Sequence, residues 1–122
     1  MRARAVVAGG AGFLGYHFVK HLLAEDFDVV IVDNLATGTH RNVQDLIVPD
    51  RCEFIEADIC EGVAVAGPVD YVVNLACPAS PVDFSRIPLD IMRTCSEGTR
   101  NLLELALHKG AEFLQASTSE VY

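Results

Sequence analysis

The sequence is poor in the features that would place it in several large classes. Its longest apolar runs, such as Ala5 to Ala8 and Val29 to Val32, are short, whereas a helix spanning a bilayer needs roughly 20 apolar residues. No signal peptide or basic targeting segment is visible, because Arg2 and Arg4 lead into a core-like strand. Low-complexity stretches are absent. Cations are scarce, with 9 Lys and Arg against 17 Asp and Glu and a formal net charge of −8. That balance argues against nucleic acid or an anionic membrane as partner. It leaves room for a small anion, because local backbone donors can outweigh a distant average charge.

The cysteines are equally uninformative as a framework. Cys52, Cys60, Cys77 and Cys95 contain no C-x-x-C pair and fall in or beside expected core elements. They read as free thiols in a reducing cytosol rather than as a zinc site or a disulfide scaffold. His17 and His21 are one helical turn apart but have no third ligand beside them, so no metal site is expected.

What the sequence does contain is regular alternation. Its 122 residues, 51% apolar and 21% charged, suit one domain with a modest core. Residues Arg2 to Ala8 read as a buried strand, and Phe13 to Ala24 as a helix with Leu14, Phe18 and Leu22 on one stripe. Asp28 to Val32 is a β-branched second strand of the kind covered on both faces. A loop from Asn34 to His40, a short helix from Asn42 to Ile47 and a third strand from Glu53 to Glu56 follow. Val69 to Ala76 reads as a fourth strand, and Cys77 to Pro88 as a proline-punctuated loop. A long helix runs from Pro88, suited to a first turn, to about His108, with Gly110 placed to end it. Gly98 interrupts that helix at a cost of about 1 kcal/mol, which close packing against the sheet or a partner helix would explain. Ala111 to Ser117 is a fifth strand. Five strands joined by helical crossovers predict an α/β fold, a doubly wound, Rossmann-like parallel sheet of order 3-2-1-4-5.

Ligands of such sheets bind beyond the carboxyl ends of the strands, and the distinctive residues gather there. In Val6-Val7-Ala8-Gly9-Gly10-Ala11-Gly12-Phe13-Leu14-Gly15 a strand feeds a glycine turn that opens a helix. Gly12 lets the backbone approach a pyrophosphate at the donor-rich start of that helix, and Gly15 lets the helix pack on the strand. Asp33, about 20 residues on, ends the second strand where a carboxylate can accept from both hydroxyls of an adenosine ribose. It also favours NAD over NADP, since a 2′-phosphate would meet a fixed negative charge and no cation follows before Arg41. Gly9, Gly12, Gly15 and Asp33 are therefore candidate cofactor contacts. Asp58-Ile59 follows the third strand, where the carboxylate either accepts from an adenine amino group or caps a helix. Leu75-Ala76 offers apolar contact to the cofactor's middle. Ser117-Thr118-Ser119-Glu120 places three hydroxyls and a carboxylate at the tip of the fifth strand. It either caps the next element or serves carbonyl–alcohol redox chemistry.

Gly9-x-x-Gly12-x-x-Gly15, Asp33-Asn34, Thr37-Gly38, Asn74-Leu75-Ala76 and Ser117-Thr118-Ser119-Glu120-Val121-Tyr122 together resemble the extended short-chain dehydrogenase/reductases that modify nucleotide sugars. Leu75-Ala76-Cys77-Pro78-Ala79-Ser80-Pro81 is most similar to the UDP-glucuronate decarboxylases among them. The resemblance implies oxidation of the sugar C4 hydroxyl by tightly held NAD, loss of CO₂ from C5 of the resulting β-keto acid, and re-reduction at C4 to give UDP-xylose. It implies that Thr118 bonds the C4 oxygen, that Ser119 and Glu120 handle protons near C5, and that Phe13, Leu14, Asn34, Thr37, Gly38, Thr94 and Ser117 contact the cofactor. Pro78, Ala79, Arg93 and Asn101 would contact the UDP-sugar, Arg93 standing where the family usually has Lys. Related dehydratases carry an acid at the position of Ser119, so elimination is the less favoured reading, with 4-epimerisation beside it. A non-catalytic dinucleotide-binding module is a further alternative.

Two departures stand out. Cys95 occupies the place of an Asn that orders the family's proton relay, and the Tyr-x-x-x-Lys pair is missing, since Tyr122 has no such lysine after it. The expectation is that residues 1–122 are the N-terminal, NAD-binding portion of a longer cytoplasmic enzyme and are inactive alone. The resemblance also implies a homodimer, through a four-helix interface that the Pro88 to His108 helix would join.

Overall fold

A computed structural model of the chain describes residues 3–9, 13–34, 44–76 and 93–116. Five strands form one parallel sheet: β1 Arg4–Ala8, β2 Asp28–Asp33, β3 Cys52–Glu56, β4 Tyr71–Asn74 and β5 Glu112–Gln115. Their order is β3-β2-β1-β4-β5, as the alternation of elements predicts. Helix α1 (Phe13–Ala24) joins β1 to β2, and α2 (Thr99–Lys109) precedes β5.

The pleat sends alternate side chains to opposite faces, and two apolar clusters result. On one face Val6, Ala8, Val30, Val32 and Val72 pack against Ile59, Val65, Leu102, Leu105 and Ala106. On the other, Val7, Val29, Ile31, Cys52 and Val73 pack against Val19 of α1 and Leu46. Each Val, Leu or Ile among them, fully withdrawn from water, contributes about 1.5–3 kcal/mol. β1 and β2 are covered on both faces, which accounts for their continuous apolar sequences.

Several elements differ from expectation. Only a 3-10 turn, Gln44–Leu46, stands within the described part of the expected Asn42 to Ile47 helix. The crossover from β3 to β4 is not helical either. It carries a 3-10 turn at Ile59–Glu61, then runs to β4 without helix or strand. The long helix expected from Pro88 to His108 is described from Arg93 and is not uniform: Thr94–Gly98 is wound as a π-helix before α2 begins. Gly110 ends α2 in the left-handed conformation, its N–H directed to the carbonyls of Ala106 and Leu107. The strands β4 and β5 are shorter than predicted, because parallel pairing of β4 stops at Tyr71 and Asn74 on both sides.

Cys52 and Cys60 are free thiols. Cys95 is disulfide-bonded. The expectation of four free thiols therefore fails at Cys95. Burial and the neighbouring Glu53 push the Cys52 thiol up to about 11, which keeps it protonated and unreactive.

Candidate functional site

The carboxyl edge of the sheet assembles the candidate residues from four strands. Gly9 follows β1 with φ +84°, a conformation in which a side chain is strained. Its N–H donates to Val32 O at 2.8 Å. A Cβ on Gly9 would lie 2.6 Å from both C and O of Leu75 and 2.8 Å from Cα of Ala76. The glycine turn thus presses against the end of β4, and only a residue without a side chain fits. Helix α1 begins at Phe13, with Gly15 buried and Leu14 62% exposed.

Asp33 ends β2 opposite Glu56 of β3, and its carbonyl accepts from Ala57 N–H at 3.0 Å. Asn34 follows, exposed. Asp58 is the N-cap of the 3-10 turn, its Oδ1 accepting from Cys60 N–H at 2.9 Å. Capping engages one oxygen, and a carboxylate has about four acceptor sites, so a second donor can still be met. Ile59 is buried behind it.

Leu75 and Ala76 are half-buried at the end of β4, with Leu75 N–H donating to Ala8 O at 2.8 Å. Beside them lies Asn74, 1% exposed, a position the sequence places in a motif without assigning it a role. Its Nδ2 donates to Thr99 Oγ1 at 3.1 Å and to Gln115 Oε1 at 2.9 Å, while its Oδ1 accepts from Ala76 N–H at 3.0 Å. One amide therefore ties β4, α2 and β5 together below the edge. An Asn closing the apolar run Val72-Val73 was the available signal.

Arg93 and Asn101 face the β3–β4 crossover. Arg93 Nη2 lies 2.7 Å from Glu61 Oε1, and its Nε 3.1 Å from Glu97 Oε2. Hydrogen bonds to Glu61 and then Glu97 hold the guanidinium further toward its charged form. Asn101 Nδ2 donates to Ile59 O at 2.6 Å. Thr94 opens the π-helix. Gly98 is closely packed as expected, though against the Ile59 side chain rather than the sheet or a partner helix. Gly12, Thr37, Gly38, Pro78, Ala79, Ser117, Thr118, Ser119 and Glu120 lie outside the described residues. On α1, Tyr16 OH donates to Asp45 Oδ2 at 2.8 Å, which joins the helix to the turn after β2. That bond raises the Tyr16 phenol above its ordinary value.

A dinucleotide fits these residues. The first turn is pared to a glycine that a Cβ would overfill, a helix begins just beyond it, and acids end β2 and β3 on the same edge. Fold and edge together define a doubly wound dinucleotide-binding domain. Residues 5–122 match the NAD dependent epimerase/dehydratase family, and the chain belongs to that family.

Among curated relatives, UDP-glucuronic acid decarboxylase 1 of Arabidopsis thaliana is 44% identical over 121 residues, which are 99% of this chain and 27% of the relative. UDP-glucuronic acid decarboxylase 1 of Danio rerio is 41% identical over 121 residues, 99% of this chain and 28% of the relative. The chain thus spans little more than a quarter of the length of these two proteins. Among solved structures, UDP-glucose 4-epimerase of Thermus thermophilus in complex with NAD superposes with a TM-score of 0.68 at 30% identity. The match covers 88% of this chain and 34% of that one. Among the described residues no helix is long and apolar enough to cross a membrane.

Proposed function

We propose that the chain forms the cofactor-binding part of an NAD-dependent enzyme that decarboxylates UDP-glucuronate to UDP-xylose. The observation that carries this reading is similarity to UDP-glucuronic acid decarboxylases across almost the whole chain. The Ser119 position supports it, being a hydroxyl where dehydratases carry an acid.

In this reading residues 1–122 hold NAD. Gly9, Gly12 and the amides opening α1 at Phe13 and Leu14 cradle the diphosphate, and Gly15 seats the helix. Asp33 and Asn34 take the adenosine ribose, with Thr37 and Gly38 in the loop beyond. Asp58 and Ile59 meet the adenine, Leu75 and Ala76 the cofactor's middle, and Thr94 and Ser117 its nicotinamide side. Bound NAD would supply reversible hydride transfer at sugar C4. Thr118 hydrogen-bonds the C4 oxygen, and Ser119 and Glu120 handle the proton at C5 once CO₂ has left. Pro78, Ala79, Arg93 and Asn101 contact the UDP-sugar, and the protein works as a cytoplasmic homodimer. Arg93 is already paired with two carboxylates, so engaging an anionic sugar requires exchange of those partners.

Full-length protein incubated with UDP-glucuronate is expected to release CO₂ and accumulate a UDP-pentose, followed by chromatography of the nucleotide sugars. A second reading, 4-epimerisation, is favoured by the similarity to the Thermus epimerase. It would yield a UDP-hexuronate inverted at C4 with no CO₂, and that outcome would replace the decarboxylase assignment.

A further inference from the structure

We propose that the helix described from Arg93 sets the adenine selectivity of the site: a slot at Gly98, with Asn101 and Arg93, holds the Asp58–Glu61 turn where Asp58 reads the adenine amino group. The proposal rests on the reading of Asp58 as the adenine-side residue given above.

Among the described residues the turn's backbone bonds are those of a single 3-10 turn, Glu61 N–H to Asp58 O at 2.9 Å and Gly62 N–H to Ile59 O at 3.2 Å, and so short a turn is poorly stabilised by itself. The helix grips it at three points. An ideal Cβ on Gly98 would lie 2.5 Å from Ile59 Cδ1 and 2.6 Å from Ile59 Cγ1, so the Ile59 side chain occupies the volume that any other residue at 98 would need. Asn101 Nδ2 binds the Ile59 carbonyl, and Arg93 binds Glu61.

The π-helix explains how Arg93 and Gly98 serve the same turn. In an α-helix residues five apart are rotated by about 140°. Winding with i→i+5 bonds brings such residues closer to alignment, and the π segment Thr94–Gly98 lies between the two contacts. Asp58 is in turn oriented by the turn it caps, through Cys60 N–H. A shift of Ile59 therefore re-aims the carboxylate. Gly98, Asn101 and Arg93 act on the adenine through Ile59, Glu61 and Asp58, and in this role they are positioning residues.

The test is calorimetry on the full-length protein with NAD⁺ and with its hypoxanthine analogue, which lacks the adenine amino group. Wild type is expected to prefer NAD⁺ by about tenfold or more, the discrimination provided by one hydrogen bond to a charged acceptor. Gly98→Ala should cut that preference to about twofold or less, because the new methyl displaces Ile59. Damage to the fold alone would weaken both ligands equally and leave their ratio unchanged. An unchanged ratio in Gly98→Ala overturns the slot. If Gly98→Ala does not fold, Arg93→Met carries the test, with a reduced ratio expected and an unchanged one overturning the proposal. Wild type that gives no heat with NAD⁺ sinks the cofactor reading and the inference with it. Wild type that binds NAD⁺ but accepts the analogue equally removes only the adenine role of Asp58, and with it this proposal.

Discussion

The two edges of the sheet are held together in opposite ways. At the amino edge, long cationic side chains reach stray carbonyls. Arg4 Nη1 donates to the carbonyls of Ala66 and Pro68, and Lys109 Nζ to Gly67 O at 2.8 Å. Arg51 bonds Leu23 O, Phe27 O and Asp28 Oδ1 at 3.0–3.2 Å. At the carboxyl edge the contacts are short and made by the smallest groups: Gly9 against Leu75, Gly98 against Ile59, and the Asn74 amide among three partners. A flexible cation can be replaced by water at modest cost, whereas a glycine in contact with backbone leaves no slack. The edge that only closes the fold tolerates change, and the edge that would hold a ligand does not.

The largest effect that tests this contrast is expected at Gly9. Gly9→Ala adds a methyl 2.6 Å from the Leu75 backbone in a left-handed conformation, and should cost about 3 kcal/mol or more. Urea denaturation would read that loss, and NAD⁺ calorimetry on the full-length variant should show no binding. Asn74→Leu comes next, at about 2–3 kcal/mol, because it removes three hydrogen bonds made by a buried amide, two of them to α2 and β5. Arg51→Met at the other edge should cost about 1 kcal/mol and leave NAD⁺ affinity unchanged. If Arg51→Met proved as damaging as Asn74→Leu, the contrast between the edges would fail.

The smallest effect is confined to alkaline solution. The Cys52 thiol, at the amino end of β3, is raised from about 9 to about 11 in the folded chain. Between those values the unfolded chain has lost the proton and the folded chain keeps it, so stability falls as pH rises through that window and is untouched below it. Denaturation midpoints measured from pH 8 to 11 should decline above 9, and Cys52→Ala should flatten the decline.

The sheet order and the run from β1 through Gly9 and α1 to Asp33 were legible because each signal there is local: an apolar strand, a glycine turn, a helical stripe and a terminal acid. Asp58 carried two readings, and its cap is realised while its second oxygen keeps the other open. The π-helix was not legible, since it accompanies a slot at Gly98 that an isoleucine far away in sequence fills. The same distance hid the commitments of Arg93 and Asn101 to the β3–β4 crossover. The disulfide at Cys95 had no spacing signal to announce it. Asn74 was visible as an oddity at the end of an apolar run, but two of its three partners, Thr99 and Gln115, lie on elements that only folding brings to it.

The stretch from Gly62 to Asp70 crosses one face of the sheet without helix or strand, and carbonyls along it are bound by Arg4 and Lys109. Its carbonyls are thus anchored from outside while its amides lack a repeating internal ladder. Backbone protons there will trade with heavy water well before those of β1 and β2, so that among the described residues this strap comes loose ahead of the sheet.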